Sequence, residues 1–120
     1  MIMRLWVKVL VVFAGGVAGT ALRLALLSLT GDEVVALAAA NFVGCFLIGV
    51  VSGVLGAHAG VARLFLAVGG IGAFTSWSSL AIQGVTRPGG LAVVIAETFA
   101  GIVFTGVGHL AGMKLRSHDE

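Results

Sequence analysis

The stretch GGIGAFTSWSSL, residues 69–80, brings glycines and hydroxyl groups into a long apolar part of the sequence. The hydroxyls of Ser76, Ser78 and Ser79 can donate hydrogen bonds to an ion. Trp77 adds an indole N–H and ring edges of partial positive charge. Glycines weaken a helix, and carbonyls released from it can bind a cation inside a membrane. The stretch predicts an ion pathway, although serines bonded back to the preceding turn would have the same composition.

Strongly polar side chains also interrupt the other apolar segments at Arg23, Asn41, Glu97 and His109. Each is costly to bury in a membrane and is a candidate functional group. Arg23 either draws anions to a vestibule or reaches the headgroups at the end of its span. The Asn41 amide can donate to an anion or tie two helices together. Glu97 can pair with Arg23, face a wet cavity or hold a proton, whereas a passive role is predicted for His109.

Composition places these residues in a membrane. Of the 120 residues, 59% are hydrophobic and 10% are charged, and mean hydropathy is +1.16, whereas soluble domains carry about 25% charged residues. The net charge of +2 is too small to indicate nucleic acid, and the lone Cys45 forms no internal disulfide or zinc pattern. Arg4 and Lys8 precede an apolar run as in a secretory signal, but the hydrophobicity continues, which favours a retained membrane span.

Charged residues and turn signals divide the chain into four apolar segments, each near the length of about 20 residues that a transmembrane helix needs. The separators are the Gly-Asp-Glu of 31–33, the glycines of 56–60 and the proline-containing turn of 84–90. We therefore expect an all-α membrane protein, a single four-helix transmembrane domain over residues 1–120 in the cell membrane. The predicted spans are about 5–29, 34–55, 64–83 and 91–113.

The distribution of basic residues predicts that both chain termini are cytoplasmic. On that orientation the inside carries Arg4, Lys8, Arg63, Lys114 and Arg116, and the outside carries Arg87 and Arg23. Glycines spaced four apart predict close contact between helix backbones. These pairs are Gly15/Gly19, Gly49/Gly53 and Gly108/Gly112.

Three segments in this order carry a family resemblance: GGVAGTALR, ANFVGCFLIG and GGIGAFTSWSS. Together they resemble the CrcB/Fluc fluoride channels, whose signatures run roughly GG-x-x-G-[AS]-x-x-R, [VA]-N-x-x-G-[ST]-F-x-x-G and G-G-[FL]-T-T-F-S-T-F. The order, the spacing and the four-span length match over nearly the whole chain. Each motif is weak alone, and the three in sequence are fairly specific.

The resemblance implies passive fluoride export rather than enzyme chemistry. The channel that it implies would be an antiparallel, dual-topology dimer in the lipid bilayer, with two fluoride pores along the subunit interface. The third helix of each subunit would be broken. A structural Na⁺ at the centre would be held by backbone carbonyls, which on this sequence belong to Gly72 and Thr75.

Position by position, the resemblance also implies an anion pathway. The pore asparagine would be Asn41, and the vestibule arginine would be Arg23. Ser78 and Ser79 would belong to a hydroxyl track, and Thr98 would take a pore-lining polar position in the fourth span. The two ring positions would be Trp77 and Leu80. Leu80 departs from the family pattern because leucine has no ring to offer an anion, and Ala73 replaces a glycine. Leu80 lacks the ring, and the basic residues are unevenly distributed between the two sides. Both observations suggest an alternative to a homodimer, which is a heterodimer with a homologous subunit of opposite orientation.

Two other functions compete with a fluoride channel. A small multidrug exporter is also a four-helix protein, but it would need an acidic residue in its first span. Here the first span contains Lys8 and Arg23, and Glu97 lies in the fourth. A membrane subunit that transports nothing is the third possibility, in which Asn41 and the serines would have no part in ion flux.

Overall fold

Four long helical spans make up the chain in a computed structural model that describes residues 4–56 and 60–119. The spans are Leu5–Thr30, Glu33–Leu55, Val61–Thr86 and Gly90–Ser117. Each is long and apolar enough to cross a membrane. The predicted all-α class and the four spans are therefore confirmed. The predicted boundary at 56–60 lies partly outside the described residues.

Helix α1 (Leu5–Thr30) and helix α2 (Glu33–Leu55) are joined by a tight turn. Gly31 ends α1 with a φ of 67°, a left-handed conformation that glycine adopts without strain. The Asp32 carboxylate then caps α2 by accepting from the N–H groups of Val34 at 2.8 Å and Val35 at 3.3 Å. The short Gly-Asp-Glu signal is therefore sufficient to reverse the chain.

The third span is made of joined helical pieces. They are α3 (Val61–Arg63), a π-helical stretch (Leu64–Ile71), α4 (Gly72–Phe74) and α5 (Trp77–Thr86). Only Thr75 and Ser76 leave helical geometry, with ψ angles of 161° and 105°. A broken third helix is not confirmed, because the glycines at 69–72 continue the helical turns and the pieces are joined. The backbone bends a few residues later.

The glycines of the third span serve packing against α1. A Cβ at Gly15 or Gly19 would overlap backbone atoms of the π-helical stretch, including the carbonyl of Gly70 for Gly19. A Cβ at Gly69 would likewise overlap the carbonyl of Val12. The two backbones are therefore in direct contact, an arrangement that small residues permit. Glycine is therefore required at position 69 for this contact.

Helix α6 (Gly90–Asp119) packs along α2 through glycines on both helices. A Cβ at Gly49 would overlap the carbonyl of Thr105, and one at Gly108 or Gly112 would overlap the carbonyl of Phe46 or Val50. This contact holds the carboxy-terminal half of α6 against α2, while Gly90 and Val94 near the start of α6 pack against Gly84 of α5. Polar groups from the three helices are thereby brought to one region of the molecule.

Candidate ion pathway

The bend in the third span is fixed by one side chain from α2. Asn41 Oδ1 accepts a hydrogen bond from the backbone N–H of Ser76 at 2.8 Å, and Asn41 Nδ2 donates to the Ser76 carbonyl at 3.2 Å. The amide therefore satisfies both backbone groups of an extended residue, as a membrane interior requires. Of the two roles predicted for Asn41, tying helices together is the one that the structure shows.

The same bend releases backbone carbonyls. In a continuous α-helix the N–H of Ser76 would donate to the Gly72 carbonyl, and that of Ser79 to the Thr75 carbonyl. Here the first donates to Asn41, and the second donates to Ser76 Oγ at 3.2 Å. The carbonyls of Gly72 and Thr75 are thus left out of those helical hydrogen bonds. They are the two oxygens that the sequence motif assigned to a cation.

The serine hydroxyls form a cluster at the start of α5. Ser76 caps the helix, and its hydroxyl donates to Ser79 Oγ at 2.9 Å. Ser78 Oγ lies 3.3 Å from Ser76 Oγ. Because Ser79 accepts this bond, its own hydroxyl hydrogen stays available to another acceptor.

The threonines behave differently from the serines, since their hydroxyls bond back to the preceding turn. Thr75 donates to the Ile71 carbonyl at 2.9 Å, Thr98 to Val94 at 2.8 Å and Thr105 to Gly101 at 2.9 Å. A threonine hydroxyl bonded in this way to its own helix has no hydrogen left to donate to a ligand. Thr98 would have to rotate its hydroxyl to donate to an anion.

A first cavity, the Arg23 cavity, lies on one side of the serine cluster. Its volume is about 300 Å³, and its lining includes Arg23, Glu33, Ser79 and Gln83. Arg23 is half-buried and forms no hydrogen bond or ion pair with another described residue. The lining thus combines a guanidinium and a hydroxyl with an available hydrogen, which can bind an anion, with the Glu33 carboxylate, which opposes that attraction.

A second cavity, the Glu97 cavity, lies between α2, α5 and α6 and has a volume of about 480 Å³. Its polar lining comprises Asn41, Thr75, Glu97, Thr98 and Thr105, and its apolar lining includes Phe42, Trp77, Leu80 and Ile102. Oε1 of Glu97 is buried without a hydrogen-bond partner in the described structure. The predicted pair with Arg23 is not formed between these residues, because Arg23 lines the other cavity.

The predicted site residues are therefore divided between the two cavities. Arg23 and Ser79 line the first, while Asn41, Thr75, Trp77, Leu80 and Thr98 line the second. Gly72 and Ser78 are exposed and line neither cavity.

The two ring positions differ in exposure. Leu80 is only 3% exposed and contributes to the core, whereas Trp77 is 66% exposed at the edge of the Glu97 cavity. Trp77 can therefore present its ring to a ligand, whereas most of the Leu80 side chain is buried and cannot contact one.

Two polar lining residues of the third and fourth spans were missed by the sequence analysis. Gln83 lies four residues after Ser79 on α5, and Thr105 lies seven residues after Thr98 on α6. Helical spacing from the predicted residues could have identified both, because residues three, four or seven apart share one helix face.

Four apolar spans with polar groups held between them define a multi-pass protein of the cell membrane. The chain belongs to the family described as CrcB-like protein, Camphor Resistance (CrcB), which it matches over residues 10–113. It is also similar to a protein named fluoride-specific ion channel FluC from Mannheimia succiniciproducens. That relative is 27% identical over 121 aligned positions, which cover 90% of this chain and 95% of the relative. No solved structure matches the chain significantly. The family predicted from the three motifs is confirmed.

Proposed function

We propose that this chain is a subunit of a fluoride channel that lets fluoride leave the cytoplasm passively, which lowers fluoride toxicity. The observation that carries the proposal is the bend at Thr75 and Ser76, held open by Asn41 within an apolar span. The relative named as a fluoride channel supplies the identity of the ion. The polar groups at the bend support the proposal, because groups of this kind can replace the ion's water.

The anion pathway would begin at the Arg23 cavity, where the guanidinium raises the local concentration of anions. The Ser79 hydroxyl can donate its available hydrogen to an ion that enters there. Beyond the serine cluster, Asn41 keeps one N–H that the Ser76 carbonyl does not use. The ring edge of Trp77 lies in the same region. Closely spaced donors of this kind can select a small anion that binds water strongly.

The conducting unit in this proposal is an antiparallel dimer with its pores at the subunit interface. Large apolar side chains around the Glu97 cavity are exposed in one subunit, including Trp77 at 66% and Ile102 at 65%. A second subunit would cover this face. It is either another copy of the chain or a homologous chain in the opposite orientation. A homologous chain could supply the ring that Leu80 lacks.

A structural Na⁺ fits the released carbonyls of Gly72 and Thr75. Carbonyl oxygens freed from a discontinuous helix are typical Na⁺ ligands in membrane proteins. Two such oxygens from each subunit, related by the dimer axis, would supply an oxygen-only ligand set. The bound ion would provide positive charge at the interface, while Asn41 independently fixes the bend through Ser76.

The proposal is tested by growth on fluoride. Cells that lack their own fluoride export and express this chain, alone or with a homologous subunit, should grow at higher fluoride concentrations than cells expressing Asn41→Asp at the same level. Growth on quaternary ammonium dyes should be unchanged, since the first span lacks the acidic residue of a multidrug exporter. Dye resistance without fluoride resistance would instead favour the exporter. Equal growth with both variants in all conditions would favour a subunit that transports nothing.

A further inference from the structure

We propose that the end of the molecule where α1 begins and α6 ends binds the phosphate group of an anionic phospholipid. Five basic residues form this surface, the basic end, and they are Arg4, Lys8, Arg63, Lys114 and Arg116. Arg116 donates to the lipid phosphate, and the other four add attraction at longer range. The binding takes place at the membrane boundary and not in the ion pathway, so it does not rest on fluoride conduction.

The directions of the helices bring the basic residues to one end. Successive glycines of α1 contact successive turns of the third span, and those of α2 contact successive turns of α6, so the helices of each pair run parallel. The starts of α1 and the third span therefore lie beside the ends of α2 and α6. Asp119 is the acidic residue that the structure describes at this end, whereas Arg23 and Arg87 are matched by Asp32 and Glu33 toward the other.

Two of the basic side chains meet where α2 ends. Arg63 donates a hydrogen bond to the Gly56 carbonyl, and a Cβ at Gly56 would overlap Nη1 of Arg116. Gly56 has a φ of 60° and a ψ of −130°, a conformation that side chains other than glycine rarely permit. Glycine at this position therefore ends α2 and also leaves room for the second guanidinium.

Arg116 is the group with unused hydrogen-bond donors. It is half-buried, and it forms no hydrogen bond or ion pair with another described residue. Its guanidinium carries five N–H donors and no acceptor. The carbonyl of Gly56 is already bonded to Arg63, which also places a second positive charge nearby. A phosphate group suits this place, because its oxygens accept the paired N–H donors of an arginine and carry the opposite charge.

The position of the basic end favours a lipid over a soluble anion. All five basic residues lie within or next to the first or last turns of membrane-spanning helices. Trp6 is exposed between Arg4 and Lys8, and tryptophan is enriched at the boundary between lipid and water. The orientation that the basic residues predict places this end at the cytoplasmic leaflet. Anionic lipids of that leaflet bind basic clusters and basic pockets between transmembrane helices.

The test is native mass spectrometry of the purified full-length protein in detergent, titrated with phosphatidylglycerol. Phosphatidylcholine with the same acyl chains is the matched lipid control, because choline neutralises its phosphate. Wild type should bind phosphatidylglycerol saturably and about fivefold or more tightly than phosphatidylcholine. Arg116→Gln should weaken phosphatidylglycerol binding about fivefold, the contribution of one basic residue beside an anionic lipid. Arg87→Gln, which removes an exposed basic residue of the opposite end, should leave the binding unchanged.

A second variant at the same position separates charge from geometry. Arg116→Lys should bind the lipid more tightly than Arg116→Gln and less tightly than wild type, because lysine keeps the charge and lacks the planar pair of donors. Thermal unfolding without lipid shows whether each variant is folded. Wild-type affinity in either variant, or equal affinity of wild type for the two lipids, would overturn the proposal.

Two further results would also contradict a lipid site at Arg116. An equal loss of binding in Arg87→Gln would indicate diffuse attraction by the whole protein. Displacement of the lipid by inorganic phosphate at equal concentration would indicate a site for a soluble anion. No fluoride is measured in any of these experiments, so their failure is distinguishable from failure of the channel proposal.

Discussion

Asn41 illustrates how a single side chain can support the backbone and also serve the anion pathway that we propose. Its two hydrogen bonds to Ser76 replace the helical bonds that the bend removes. An unsatisfied buried donor or acceptor costs about 1–3 kcal/mol, so the bend depends on this amide. The amide hydrogen that remains is the one we assign to the anion pathway.

Substitutions at Asn41 should separate these two roles. Asn41→Ala leaves the N–H and the carbonyl of Ser76 unpaired, at a cost of about 1–3 kcal/mol for each. Asn41→Asp keeps an acceptor for the N–H and loses less stability, but its negative charge repels an anion. We expect fluoride efflux to fall about tenfold or more in both variants, and thermal unfolding in detergent to shift further for Asn41→Ala. Wild-type efflux from Asn41→Asp would contradict the assignment of Asn41 to the pathway.

Residue types in the sequence were enough to select Asn41, Arg23 and Ser79 as candidates, because polar groups in an apolar segment are rare. Their partners could not be predicted. Asn41 and Ser76 are 35 positions apart, and their hydrogen bonds depend on how α2 packs against the third span. The burial of Leu80 at 3% exposure also follows from that packing and not from its place in a motif.

At the scale of elements, the third span shows how packing decides where a helix bends. Gly69 and Gly70 have low helix propensity, yet they remain in helical turns because their backbones pack against α1. The extended residues occur where Asn41 can replace the lost hydrogen bonds. Composition therefore predicted that this span would deviate from a regular helix, and the extended residues Thr75 and Ser76 lie within the predicted stretch 69–80, although its glycines stay in helical turns.

Two glycines on α1 offer a matched test of this packing. A Cβ at Gly19 would overlap the Gly70 carbonyl, whereas a Cβ at Gly16 would meet nothing within 4 Å. Gly19→Ala should destabilise the protein by about 1–3 kcal/mol, because a backbone atom cannot move aside as a side chain can. Gly16→Ala should be neutral or stabilise by up to about 1 kcal/mol through helix propensity. Unfolding in denaturant measures both, and equal stabilities of the two variants would contradict direct backbone contact.

At the scale of the whole molecule, the four spans were predictable because hydrophobicity and turn residues act locally. Assembly is not a local property. Exposed apolar side chains around the Glu97 cavity can face lipid or another subunit, and composition is the same in both cases. The uneven basic residues favour a single orientation of this chain. A partner of opposite orientation would then be a homologous chain.

The most direct measurement is fluoride release from liposomes that contain the purified chain, recorded with a fluoride electrode, alone and with a homologous second subunit. A fluoride channel with the proposed pathway should release fluoride and retain chloride in at least one of these preparations. Release by the chain alone would identify a homodimer, and release only with the second chain would identify a heterodimer. Absence of fluoride release from both preparations, or release of chloride as fast as fluoride, would contradict a fluoride-selective pathway at the Asn41–Ser76 bend.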